Sequence, residues 1–138
     1  MATLFGSGIK RREDPRLITG RATYTDDVKL PGLLYAAVLR STYAHAKLRK
    51  VDVAKAKKAP GVVAVYTGAD VRDKLDTVPC AWNVPNCDLK VPPHPPLAVE
   101  KVRYVGDGLA MVVAESRAAA RDALDLIDVD YDALDAVV

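Results

Sequence analysis

Short apolar runs separated by glycine and proline dominate the chain and predict β-strands rather than long helices. The clearest run covers residues 61–67 (GVVAVYT), is rich in β-branched side chains and starts at a glycine. A second run covers residues 35–40 (YAAVLR) and follows a Leu-Pro-Gly turn. A third strand-like stretch contains Leu48, Val51 and Val53.

The sequence predicts only short helices. Asp52 is placed to cap a helix over residues 53–59, which a Pro-Gly pair would end. A helical turn is predicted at about residues 69–75. Ser116 is a candidate N-cap for a helix that runs to about Asp125, because the apolar positions after it follow helical spacing.

The last third of the chain predicts a hairpin and an alternating strand. Residues 102–105 (VRYV) and the apolar residues 109–114 flank a Gly-Asp-Gly turn, which is typical of a β-hairpin. Apolar residues then alternate with Asp128, Asp130 and Asp132, a pattern that predicts a half-buried strand. Strands and hairpins with two or three short helices indicate an α+β fold rather than a doubly wound parallel sheet.

The length of the chain and the positions of its glycines and charged residues predict an N-terminal arm and one domain. A chain of 138 residues fits a single core. Residues 1–20 are charged and broken by glycines, which predicts an extended N-terminal arm, and residues 21–138 form the single domain. Residues 77–96 contain six prolines and predict a long irregular loop, and such loops commonly carry function or contacts.

Composition and charge exclude several classes of protein. With 50% hydrophobic and 28% charged residues the chain is globular, and no window approaches the ~18 apolar residues of a membrane span. Residues 1–58 carry 13 Lys and Arg against 5 Asp and Glu (+8), whereas residues 59–138 carry 7 against 13 (−6). Nucleic acid is not the expected partner, because the basic residues are scattered and only 6% of residues are aromatic.

The two cysteines, Cys80 and Cys87, lie in the Pro-rich loop and are too few for a disulfide framework. The favoured interpretation is two free thiols in the reducing cytoplasm. A Cys80–Cys87 disulfide and half of a metal site remain open, although no second cysteine pair or spaced histidine cluster completes a zinc site.

Residue types that could carry chemistry are present without the patterns that chemistry needs. Ser41, His45 and Asp52 could form a triad, but Ser41 lacks nucleophile-elbow glycines, and a structural His45 donating to a backbone carbonyl is favoured. His94 lies between two prolines and is expected to pack or hydrogen-bond within the loop. The alternating aspartates near the end imitate a calcium loop, but Ala133 occupies the place of its glycine, so they predict a solvated strand face.

Six separate segments, in order along nearly the whole chain, resemble the opening of the large, molybdenum-binding subunit of xanthine dehydrogenases and aldehyde oxidases. They are residues 12–27 (REDPRLITGRATYTDD) followed by LPG at 30–32, 40–46 (RSTYAHA), 59–65 (APGVVAV), 67–70 (TGAD), 104–107 (YVGD), and 113–116 (VAES) leading to 129–131 (VDY). The Arg-Glu-Asp-Pro-Arg-Leu opening is most similar to the branch named for aerobic carbon monoxide dehydrogenase.

The resemblance implies an α/β-hammerhead domain, an α+β fold in agreement with the pattern of elements. It also implies a holoenzyme that contains molybdopterin, FAD and [2Fe–2S] clusters and oxidises an aldehyde, a purine or other N-heterocycle, or CO with oxygen derived from water. In this family the molybdopterin contacts and the catalytic glutamate lie downstream of the hammerhead. No catalytic, cofactor-binding or metal-binding residue is therefore expected in this chain, nor any cofactor of its own.

We therefore expect a structural domain that contacts other domains. Its expected partners are the remainder of the large subunit and the FAD and [2Fe–2S] subunits, whose acidic surfaces would meet the basic first half of the chain. Neither nucleic acid nor a membrane span is expected. The alternative is a stand-alone, non-catalytic interaction module that keeps the fold. Candidate contact residues are Arg40, Ser41, His45, His94 and Gly106.

Overall fold

The structure is a computed structural model that describes residues 6, 8–82 and 85–137. It divides into two compact units, Met1–Leu33 and Leu34–Val138. Parts of the predicted arm (residues 1–5 and 7) and of the Pro-rich loop (residues 83 and 84) lie outside the described residues, as does residue 138.

The first unit contains a short helix where the sequence pattern predicts only an extended arm. Helix α1 covers Asp14–Ile18, and a 3₁₀ turn covers Thr25–Asp27. Proline in the first turn of α1 has the backbone angle that a helix needs, and Arg16 pairs with Glu13 three residues earlier. Because no residue of α1 is buried, the helix has no apolar periodicity that could reveal it.

The second unit contains two three-stranded antiparallel sheets. Sheet A consists, in spatial order, of β1 (Tyr35–Arg40), β5 (Gly108–Ala114) and β3 (Val62–Thr67). Sheet B consists, in spatial order, of β4 (Lys101–Val102), β2 (Ala46–Asp52) and β6 (Asp128–Ala133). These sheets with few short helices confirm the α+β class and the strands predicted near residues 35, 48, 61 and 127.

The helices of the second unit are shorter than the sequence predicts. They are α2 (Gly68–Val71), α3 (Arg117–Asp122) and the 3₁₀ turns Ala56–Lys58 and Ala123–Leu126. Ser116 caps α3 as predicted, since its Oγ accepts a hydrogen bond from the Ala119 amide at 3.1 Å. Asp52 accepts the Ala54 amide at 3.0 Å, but the segment after it forms only a 3₁₀ turn.

The predicted hairpin over residues 102–114 is wrong. Strand β4 pairs with β2 in sheet B, whereas β5 pairs with β1 and β3 in sheet A. The glycine-containing turn between them therefore joins two sheets instead of closing one pair of strands. Its hydrogen-bonding partners belong to the end of β1, as described below.

The core of the second unit consists of two apolar clusters between and beside the sheets. One contains Val65, Val112 and Ile127, and the other contains Val102 and Leu109, each with buried alanines. Leu39 and Val129 pack against both clusters. The clusters are therefore joined into one continuous interior.

Gly68, the first residue of α2, lies against the backbone of a neighbouring segment. A Cβ at this position would be 2.2 Å from the Ala98 carbonyl oxygen and 3.0 Å from that of Leu97. Real Cβ atoms do not approach backbone oxygens so closely. The glycine is therefore required by the close approach of two backbones.

Gly68→Ala is expected to lower the free energy of unfolding by about 1–3 kcal/mol, because backbone must move to admit the methyl group. The measurement is urea unfolding followed by circular dichroism. Gly8→Ala is the matched control, because Gly8 has open space around it and no left-handed φ, and should change stability by less than about 0.5 kcal/mol. Equal stability of the two variants would contradict the packing argument.

Candidate interdomain contact site

Two chain segments pass from one sheet to the other side by side, and we call residues 40–45 and 103–107 together the crossing. The first leads from β1 to β2, and the second leads from β4 to β5. The Ser41 amide donates to the Asp107 carbonyl at 2.8 Å, and the Gly106 amide donates to the Ser41 carbonyl at 2.8 Å. Arg40 Nη1 donates to the Gly106 carbonyl at 2.9 Å. The structure thus brings together three of the five predicted contact residues.

Two polar side chains are buried in the crossing and both have hydrogen-bonding partners. Ser41 and Asp107 are each 3% exposed. Ser41 Oγ donates to the Tyr43 carbonyl at 2.9 Å and accepts from the Tyr43 amide at 3.0 Å. Asp107 Oδ2 accepts from the Arg103 amide at 3.1 Å. These bonds shape the two turns, and Ser41 acts as a turn-forming residue.

Gly106 adopts a backbone conformation that favours glycine. Its φ of +97° lies in the left-handed region, and the Asp107 amide closes the turn by donating to the Tyr104 carbonyl at 3.2 Å. Asp107 is the residue of this site that the sequence reasoning missed. An aspartate between two glycines is typical of a turn, so the local sequence gave no signal that this one is buried.

His45 lies at the other end of the first segment and holds the residues that follow β6. Its Nδ1 donates to the Asp135 carbonyl at 2.8 Å, and its own carbonyl accepts the Leu134 amide at 3.0 Å. This is the backbone carbonyl partner predicted from the sequence. Asp52 accepts instead from Lys50 Nζ at 2.7 Å, so Ser41, His45 and Asp52 have separate partners and form no triad.

His94 belongs to the exposed Pro-rich loop and meets the second segment of the crossing at Tyr104. Its Nε2 lies 3.3 Å from the Tyr104 hydroxyl, with the two rings edge to face at 5.9 Å. The Val78 amide donates to the His94 carbonyl at 2.8 Å, so the loop also folds on itself. Between the loop and the crossing lies a largely apolar groove of about 420 Å³.

Ion pairs within the domain neutralise some of the opposite charges of the two halves of the chain. Arg49 of β2 binds Asp132 of β6 at 3.0 Å, and Lys55 binds Asp128 at 2.9 Å. Each pair joins the basic half to the acidic half. The hydrogen bond to Asp128 raises the pKa of Lys55. The alternating aspartates thus line an outward, ion-paired strand face and not a calcium loop.

Metal and disulfide chemistry find no support in the described part of the chain. Cys80 and Cys87 are both free and exposed. Over residues 8–82 and 85–137, no three His, Cys, Asp or Glu side chains gather in a way that could hold a metal ion. No helix among the described residues has both the length and the apolar character needed to cross a bilayer.

Asp107→Ala is expected to lower the free energy of unfolding by about 1–3 kcal/mol, because it leaves the Arg103 amide without its acceptor. Asp107→Asn keeps an oxygen acceptor and should cost less. Asp130→Ala, at an exposed position of β6, is the control and should change stability by less than about 0.5 kcal/mol. Urea unfolding measures all three, and equal losses for the Ala and Asn variants of Asp107 would contradict the assigned hydrogen bond.

Tyr131 makes part of the domain's stability depend on alkaline pH. The centroids of the Tyr131 and Tyr43 rings are 4.6 Å apart, with the rings tilted by 31°. Burial raises the pKa of Tyr131 above its ordinary value of 10.0. The native state therefore keeps the phenol proton after the unfolded state has lost it. Stability is complete below about pH 10 and falls as the pH rises through the native pKa. In Tyr131→Phe the contribution of Tyr131 to this loss should vanish, so the free energy of unfolding should drop less between about pH 8 and 11 than in the unmodified chain. An equal drop in both proteins would contradict the prediction.

Known proteins similar to this chain are much longer than it is. The nicotine 6-hydroxylase large subunit of Paenarthrobacter nicotinovorans is 38% identical over 135 residues, which cover 98% of this chain and 16% of that protein. The carbon monoxide dehydrogenase large chain of Afipia carboxidovorans is 41% identical over 138 residues, with the same two shares. The chain thus spans about 16% of the length of these relatives.

The three-dimensional fold agrees with a solved structure of the same kind. Quinoline 2-oxidoreductase from Pseudomonas putida 86 superposes with a TM-score of 0.88 and 44% identity, over 96% of this chain and 17% of that one. The family model described as aldehyde oxidase and xanthine dehydrogenase, a/b hammerhead domain, matches residues 19–135. The resemblance seen in the sequence motifs is confirmed, and the chain belongs to the aldehyde oxidase and xanthine dehydrogenase hammerhead family.

Proposed function

We propose that this chain is the hammerhead domain of the large subunit of a molybdenum hydroxylase, and that its role is to join other domains. The observation that carries the proposal is the match of 98% of this chain to 16% of each large-subunit relative. Such a match corresponds to one domain of a much longer protein. The reaction of the complete enzyme would be oxidation of an aldehyde, an N-heterocycle or CO.

The described residues of this chain do not offer the ligands of an iron–sulfur cluster. A [2Fe–2S] cluster takes four cysteine ligands, or two cysteines with two histidines. Cys80 and Cys87 are exposed on a loop, and no metal-ligating cluster exists among the described residues. We propose that molybdopterin belongs to the rest of the large subunit and that FAD and [2Fe–2S] belong to partner subunits.

Polar groups that might otherwise carry chemistry are engaged in holding the fold. Ser41 and Asp107 bind backbone groups in the crossing, and His45 binds the backbone after β6. These bonds support a structural role for the domain. The two free thiols support the cytoplasm as its compartment.

We propose the crossing as one region of contact with neighbouring domains. Arg40 of the crossing and His94 of the adjacent Pro-rich loop are exposed and offer cationic and imidazole groups to a partner. Ser41 is buried, so its part is to hold the turn that presents Arg40. Gly106 forms the neighbouring turn, whose carbonyl binds the Arg40 side chain. His45 binds the Asp135 carbonyl and so holds the residues that follow β6.

The proposal is tested by purifying this chain from its host through an affinity tag and measuring polypeptide mass, molybdenum, iron and flavin. We expect molybdenum to copurify, either in a longer tagged polypeptide or in an associated one. The 138-residue chain by itself should show no pterin fluorescence. Stoichiometric molybdopterin on that chain alone would overturn the division of roles, and a tagged chain without molybdenum would favour the stand-alone interaction module.

A further inference from the structure

The groove beside the Pro-rich loop has two walls that are bonded to each other. The two arms of the loop form one wall, and Arg103 and Tyr104 of the crossing form the other. The Val78 amide donates to the His94 carbonyl at 2.8 Å and so joins the arms, while His94 Nε2 lies 3.3 Å from the Tyr104 hydroxyl and joins the loop to the crossing. The volume of about 420 Å³ is within the ~300–1,000 Å³ of pre-formed small-molecule sites.

Apolar side chains in this groove are open to solvent. Val78, Leu89 and Val91 line it and are all exposed. Isolated exposed apolar residues are common on protein surfaces, whereas several that line one concavity are typical of a binding site. The rings of three prolines complete the apolar surface: Pro79, Pro92 and Pro93.

Two cationic side chains, Lys90 and Arg103, line the same groove, and both are exposed. Neither forms an ion pair within the described part of the chain. Asp88 and Asp107 are close in sequence, but neither is among the described residues that line the groove, and none of those is acidic. The groove therefore combines an apolar surface with positive charge that this chain does not neutralise, which favours an anionic ligand.

We propose that the groove binds a small apolar molecule that carries one anionic group, an aromatic carboxylate being the simplest example. Its apolar part would cover the exposed valine, leucine and proline side chains, and Lys90 and Arg103 would attract its carboxylate. The site goes beyond the proposed function and does not depend on it, because every side chain that it uses belongs to this chain.

The size of the groove favours a small molecule over a protein segment. Sites for one small ligand commonly have a volume like this one, and they are mostly apolar with a few polar groups that fix the orientation of the ligand. A stable protein interface buries about 800 Å² on each partner, which requires a broader surface. A neighbouring protein segment is therefore the alternative that the experiment must distinguish.

The test uses the two native thiols of the loop as reporters in the tagged protein as it is purified. Cys80 lines the groove, whereas Cys87 is exposed on the same loop outside it and is the internal control. N-ethylmaleimide labelling, located by tandem mass spectrometry, is measured with 1-naphthoate and with the uncharged 1-naphthalenemethanol. Roughly millimolar naphthoate, as expected for a ligand of this size, should slow labelling of Cys80 about threefold or more and leave Cys87 unchanged. The alcohol should need about a threefold higher concentration for the same protection.

Charge variants identify the cations that bind the carboxylate. Lys90→Gln and Arg103→Gln should each raise the naphthoate concentration for half-protection of Cys80 about threefold, as expected for exposed charges. Lys58→Gln and Arg121→Gln are the matched controls, because they remove exposed cations outside the groove, and they should change nothing. Circular dichroism checks the fold of each variant, and if Arg103→Gln misfolds, Lys90→Gln decides alone.

Three results would overturn the site. In the first, neither compound slows labelling of Cys80, and in the second, both slow it equally. In the third, Cys80 is unreactive without any ligand while Cys87 reacts, which would mean that a protein neighbour covers the groove. None of these results depends on the molybdenum content of the tagged protein, so the proposed function stands or falls separately.

Discussion

The fold depends on the backbone hydrogen bonds that join the two segments of the crossing. Ser41 exchanges bonds with Gly106 and Asp107, and each segment connects one sheet to the other. These bonds hold the segments together where they pass between the sheets, and the packing of Leu39 and Val129 against both core clusters adds to them. The burial of Ser41 and Asp107 strengthens the constraint, because a buried polar group without its partner costs about 1–3 kcal/mol. Arg40, which binds the Gly106 carbonyl, and Tyr104, which lies beside His94, are both exposed at the crossing.

The distribution of polarity follows from this two-sheet arrangement. The outward face of sheet B carries two ion pairs, from Arg49 of β2 and from Lys55 beyond its end to aspartates of β6, and they join the oppositely charged halves of the chain. Exposed pairs of this kind contribute little stability, so their main effect is to keep that face compatible with water. Sheet A has the opposite character, since its central strand is apolar on both faces.

Residue types alone misrepresent the chemistry of the chain. Ser41, His45 and Asp52 are the types found in hydrolytic triads, yet each is engaged with a local or backbone partner. The alternating aspartates and the isolated cysteines are likewise ordinary surface features once their positions are known. Chemistry needs several reactive groups close together in space, whereas Ser41, His45 and Asp107 each bind backbone groups.

The sequence by itself determined the strands, the α+β class, the cap of α3 and the family, because periodicity, turn residues and ordered motifs are local properties of the chain. It also indicated the structural role of His45 from the context of that residue. Tertiary structure alone decided that β4 and β5 belong to different sheets, that Gly68 lies against the Ala98 carbonyl and that Asp107 is buried. Helix α1 was missed because it buries nothing and so leaves no apolar pattern. Strand pairing and close approach depend on residues distant in sequence, and no local pattern records which distant segment a turn or a glycine will meet.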